Sequence, residues 1–93
     1  MRIVDKNILK TFADAIFCGE KTFEIRENDE AYQKGDVIRF KVMENEHFFE
    51  DRNHPLNGQK YEITYVLSGW GLQNGYVALG IKPYKETGNE ADS

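Results

Sequence analysis

Apolar residues recur every three or four positions early in the chain and then switch to strict alternation, which separates one helix from a series of strands. Ile8, Leu9, Phe12, Ala13, Ile16 and Phe17 form a single helical stripe, with Lys10, Thr11 and Asp14 off it, so a helix over residues 7–18 is predicted. Asp5 or Asn7 is placed to cap its start, and Gly19 to end it in the left-handed conformation. Residues 1–5 ahead of it read as a short strand built on Ile3 and Val4. After Gly19, apolar Phe23 and Ile25 alternate with Thr22, Glu24 and Arg26. That alternation predicts a strand with Phe23 and Ile25 directed into the core and the polar trio directed out.

Turn signals at residues 27–30 and at Lys34-Gly35-Asp36 precede a second alternating run. There Ile38, Phe40 and Val42 face inward, and Arg39 and Lys41 make a cationic outer face. Residues 44–59 are the least regular stretch, with a turn-rich loop at residues 53–58 and a short edge strand at His47-Phe48-Phe49, whose phenylalanines are expected to pack inside. Residues 61–67 form a strand by their β-branched and aromatic content. A glycine-punctuated loop, residues 69–75, leads to a last strand at residues 76–81. One early helix, five or six short strands and no second helix for a parallel crossover predict an α+β, mostly β domain, organised as a small, mostly antiparallel barrel. Residues 1–83 are expected to form this single domain and residues 84–93 a polar, flexible tail.

Composition supports one small core. Of 93 residues, six are Phe, five Tyr and one Trp, enough aromatic area to compact a chain of this size. A single cysteine, Cys18, excludes an internal disulfide, fits a reducing cytoplasm and reads as a small apolar residue near the helix end. No run approaches the ~18 apolar residues of a membrane span, and the N-terminus lacks the apolar centre of a signal peptide, so a cytoplasmic protein without membrane contact is expected. The net charge of −4 argues against tight non-specific binding to phosphate backbones while leaving room for a local basic groove. His47 and His54 lie seven apart with no cysteine or second metal-like cluster nearby, so neither a metal nor another cofactor is expected. The glycines at 69, 71 and 75 are not a phosphate loop, since the lysine and hydroxyl of that motif are missing.

The chemistry concentrates in Gly19-x-Lys21-Thr22-x-Glu24-Ile25-Arg26-x-Asn28-Asp29, followed by Gly35-Asp36. This run, with Tyr65-Val66-Leu67, Gly71-Leu72 and the closing residues 75–81, resembles the small bacterial and phage ASCH-like domains, a group of unknown function. The resemblance spans most of residues 1–82. It implies the PUA-like fold, a mixed pseudo-barrel with a helix packed at its mouth. It also implies a cleft between helix and barrel that takes RNA or a modified nucleoside, with Lys21, Thr22, Glu24 and Arg26 lining it and Asn28 and Asp29 at its edge. The residue types suit that role. Lys21 offers a point charge for a phosphate, Arg26 a planar fork for phosphate or a base edge, and Glu24 an acceptor for an exocyclic amine. Trp70 or Tyr76 would complete a stacking platform if the last loop closes over the cleft.

A second branch of the ASCH family contains amidohydrolases acting on acetylated cytidine, in which the motif lysine, a threonine three residues later and a downstream glutamate carry the catalysis. Lys21 matches the lysine, but Glu24 stands where the threonine would be. A lysine acts as a base only when its ammonium form is destabilised, and an adjacent carboxylate does the opposite. Thr22 supplies a nearby hydroxyl, and Glu62 is the candidate for the downstream glutamate. A binding module is therefore the first reading, an amidohydrolase the second and a protein-interaction module the third. Against all three stands the plain alternative that Lys21, Glu24 and Arg26 are an ion-paired strand face and Trp70 a plug beneath its loop.

Overall fold

A computed structural model describes residues 1–45 and 49–85. Its elements in chain order are β1 (Ile3–Leu9), α1 (Lys10–Phe17), β2 (Phe23–Glu27), β3 (Val37–Met43), β4 (Lys60–Ser68) and β5 (Tyr76–Pro83). The architecture is α+β and mostly β: one five-stranded sheet in the order β1-β3-β4-β5-β2, with α1 packed against β1 and β3. Three of the pairings are antiparallel, while β1 and β3 run parallel in register from Ile3–Val37 to Leu9–Met43. Strands β1 and β2 are the outer strands, and no strand pairing joins them among the described residues.

The start of the chain corrects the sequence reading. Residues 7–9, assigned to the helix by their spacing, belong to β1, and α1 begins only at Lys10. A continuous ladder to β3 outweighs the local three-to-four periodicity, because it supplies backbone hydrogen-bond partners along the whole of β1. Asp5 and Asn7 are therefore strand residues and cap nothing, and Leu9 enters the helix with no side-chain cap. Within β1, Val4, Lys6 and Ile8 share the inward face, and Lys6 is the one of the three that is not fully buried. The helix ends as expected, with Gly19 at φ +87° and its N–H donating to the Ile16 carbonyl. Only Ala13 and Ile16 of α1 are buried, so Phe12 and Phe17, expected in the core, stay largely exposed.

The core is drawn mainly from alternate residues of the central strands. Ile38, Phe40 and Val42 from β3, Tyr61 and Ile63 from β4, and Val77, Leu79 and Ile81 from β5 meet Ile8, Ala13, Ile16, Tyr32 and Leu56. Phe40 and Tyr61 tilt against each other with ring centroids 5.7 Å apart. Strand β4 carries a bulge between Ile63 and Tyr65 that changes which residues face in, so Val66 packs on the core and Tyr65 points out. Gly80 makes room for it, since a Cβ at that position would stand 2.8 Å from the Thr64 hydroxyl.

Residues 44, 45 and 49–59 have no helix or named strand, as read from the sequence. Phe49 is exposed rather than packed, and Glu50 makes an isolated bridge to Met43. His47 and Phe48 of the expected edge strand, and residues 86–93 of the expected tail, lie outside the described residues. No helix of the described residues is long and apolar enough to cross a membrane.

Candidate functional site

Strand β2 is turned over relative to the alternation argument. Its register against β5 sets Glu24 beside Leu79 and Arg26 beside Val77, both core residues, so Glu24 and Arg26 point inward. Phe23 and Ile25 lie beside Gly80 and Ala78 and are about half exposed on the outer face. Alternation identifies two faces of a strand but does not say which is buried. Here the polar face is inside because Glu24, 5% exposed, is paired on both sides.

The pairing is specific. Lys21 Nζ donates to Glu24 Oε1, and Arg26 Nη1 donates to Glu24 Oε2 at 3.0 Å. Lys21 also donates to the Phe23 carbonyl at 2.9 Å and sits 5.0 Å from the ring centroids of both Phe12 and Phe23. Arg26 Nη2 reaches across to the Asn7 carbonyl of β1 at 2.8 Å. A single side chain thus bridges the two outer strands where no backbone ladder does.

These groups line a cavity of about 610 Å³ between β1, the start of α1 and β2, with Tyr76 of β5 at one end. Three cations, Lys6, Lys21 and Arg26, face three carboxylates, Glu24, Glu27 and Asp29. Lys6 Nζ bonds Asp29 at 3.0 Å and Glu30 at 3.1 Å. Burial opposes the Lys6 ammonium, but the bonds to Asp29 and Glu30 outweigh it and hold its pKa above the usual lysine value. The Lys6 bond in turn holds the Asp29 carboxyl below its usual range. Tyr32, its phenol 3.4 Å from Asp29, has its pKa raised by burial.

Of the sequence-predicted residues, Lys21, Glu24, Arg26, Asp29 and Tyr76 come together in this cavity. Asn28 does not line it. Its side chain accepts from the Tyr32 N–H at 3.1 Å, its own N–H donates to Gly75 at 2.9 Å, and it lines a smaller hollow that shares Tyr76 with the cleft. Thr22 is exposed just ahead of β2, and Glu62 lies on β4 opposite Val37 and Lys82; neither lines the cleft. Trp70 is no plug: it is 88% exposed at φ +49° between Gly69 and Gly71, and it also lies outside the cleft.

The sequence reading missed Lys6, Asn7 and Phe12. A strand reading of residues 3–9 would have placed Lys6 between Val4 and Ile8 on one face, whereas nothing in the pattern distinguishes Phe12 from a core residue.

His54 is buried with both ring nitrogens engaged. The Leu56 N–H donates to Nδ1 at 3.0 Å, which leaves the ring proton on Nε2 to be donated to Asp14 at 2.6 Å. It ties the 51–58 loop to α1 and offers nothing to a metal. No group of three or more potential metal-ligating side chains occurs among the described residues.

Comparison with curated proteins returns no match. Residues 5–81, a span that includes every wall of the cleft, match a family described as Domain of unknown function (DUF3850), and the chain belongs to that family.

Proposed function

We propose that the protein is an ASCH-like, PUA-like module that binds a nucleotide, free or within RNA, in the cleft between α1, β1 and β2. The observation that carries this reading is the buried Glu24 clamped by Lys21 and Arg26 inside an open cavity. Buried ion pairs seldom stabilise a fold over apolar packing, so a charged cluster at the floor of a cleft is better explained by recognition.

Equal numbers of cations and carboxylates suit a hydrogen-bonding base better than a dense array of phosphates. Glu24 accepts from an exocyclic amine, the N–H groups of Arg26 not spent on Glu24 and Asn7 donate to base or phosphate oxygens, and the Phe12, Phe23 and Tyr76 rings supply stacking surface. The amidohydrolase reading has weaker support, because Thr22 and Glu62 stand outside the cleft and Lys21 donates to Glu24 and Phe23.

Calorimetric titration with the four nucleoside monophosphates and with short single-stranded RNA tests the proposal. Saturable binding, weakened by Arg26→Ala, is expected, with a shallow salt dependence. Absence of saturable binding at low salt would overturn it.

A further inference from the structure

The nucleotide cleft does not end at β1. A second hollow, of about 560 Å³, lies over the outer face of β1 and β3, and the two meet along β1 at Lys6 and Asn7, which line both. Its character differs from that of the cleft. Arg39, Lys41 and Arg52 line it with three carboxylates, Asp5, Glu50 and Asp51, while the Lys6 ammonium is turned to Asp29 and Glu30; Lys10, 3.7 Å from Asp51, adds a fourth cation at its margin. A local cationic excess on a chain of net charge −4 is a feature of this face and not of the surface as a whole.

At its other end the cleft shares Tyr76 with the small hollow beneath residues 69–75, the loop that holds Trp70 out in the left-handed region. A bulky residue at positive φ is uncommon and costs backbone strain, and here it presents an aromatic ring to solvent.

We infer that the ligand is a single strand of several nucleotides, lying along a continuous track from the Trp70 loop through the cleft to a phosphate-binding stretch formed by Arg39, Lys41 and Arg52. The inference rests on the nucleotide reading of the cleft and adds the length and polarity of the ligand. Among the described residues these cations are held by exposed or half-buried pairs: Arg39 to Asp5, and Lys41 and Arg52 to Glu50. Such pairs contribute little net energy, so exchanging a carboxylate for a backbone phosphate is inexpensive. Bases have stacking surface at Tyr76, which lines both the cleft and the small hollow, and the loop lining that hollow carries the exposed Trp70 ring, whereas the outer hollow offers charge without an exposed ring; this assigns base contacts to one end and backbone contacts to the other.

The test compares a mixed-sequence single-stranded RNA hexamer with the four nucleoside monophosphates, using the full chain at several salt concentrations. The hexamer is expected to bind about tenfold more tightly at low salt, with a steeper salt slope. Combined Arg39→Ala, Lys41→Ala and Arg52→Ala should remove most of that advantage and flatten the slope by about 0.7 for each phosphate no longer neutralised, leaving monophosphate affinity unchanged. Glu50→Gln, which frees Lys41 and Arg52, should instead tighten hexamer binding about twofold or more. Equal affinity for hexamer and monophosphates, or hexamer binding indifferent to both variants, overturns the track and leaves the nucleotide cleft standing. Failure of both ligands to bind overturns the two readings together.

Discussion

Replacing Glu24 with leucine removes the one carboxylate shared by two cations that have little other solvation. The side chains of Lys21 and Arg26 retain 16% and 18% exposure, and Glu24 retains 6%. Removing one partner of a buried pair costs about 3–5 kcal/mol, because a desolvated charge is left uncompensated. Here the cations open onto a cavity and keep the Phe23 and Asn7 carbonyls, so the expected loss is about 3 kcal/mol, the lower end of that range.

The informative comparison is a triple variant, Lys21→Met, Glu24→Leu and Arg26→Met. With no charge left to strand, its stability should return to within about 1 kcal/mol of the parent or exceed it. Nucleotide binding should be lost in both. Urea unfolding followed by far-ultraviolet circular dichroism is the suitable assay, since Trp70 is exposed in the folded state and its fluorescence would report little. A loss below about 0.5 kcal/mol for Glu24→Leu would show the pairs to be solvent-screened like surface ones and would refute the argument. A triple variant as unstable as the single one would show that the cluster holds the fold together, and the functional inference drawn from it would fail.

Three further outcomes follow from the packing and the charges. Gly80→Ala should destabilise by about 1–3 kcal/mol through its contact with the Thr64 hydroxyl, and Thr64→Ala should relieve much of that loss; additive effects in the double variant would refute the contact. His54→Ala should cost about 2–3 kcal/mol, because it leaves the buried Leu56 N–H without an acceptor and releases the loop from Asp14, and a near-neutral melting curve would contradict it. The Lys6–Asp29 bond sets a pH dependence at both ends. The lowered Asp29 pKa gives a contribution present above 3.8 and lost as pH falls through the folded value, and the raised Lys6 pKa gives one present below 10.5 and lost as pH rises through the folded value. The stability difference between parent and Asp29→Asn should therefore be flat across neutral pH and shrink toward acid, and one that grew toward acid would reverse the assignment.

The parts of the fold legible in the sequence are those decided by contacts near in the chain. The alternation over residues 37–43, the β-rich run after Lys60 and the stop at Gly19 each carry a local signal that tertiary structure leaves in place. The errors lie where a distant partner decides. Residues 7–9 satisfy a helical spacing and a strand equally, and pairing with β3 settles the choice. Strand β2 is recognisable from its alternation, but its inner face depends on register with β5, and a carboxylate is admitted there only because Lys21 and Arg26 flank it. The bulge at Thr64 leaves no mark in the composition of the strand. The motif residues still converge, since most of them sit on β2 or the turn after it, whereas Lys6, Asn7 and Phe12 enter from elements whose placement no local pattern reveals.

The pairing of β2 with β5 has a consequence for the order in which the molecule can assemble. Strands β3, β4 and β5 are joined through neighbouring segments and can associate early, whereas among the described residues β2 finds its ladder on β5, the last of the five strands, from Phe23 opposite Gly80 to Glu27 opposite Tyr76. Until that strand is made and docked, Glu24 and Arg26 have no wall to lean on and the cleft does not exist. A nascent or truncated chain lacking residues 76–83 therefore has no cleft however well its first half has formed, and the binding proposed for that cleft would begin only once β5 has docked.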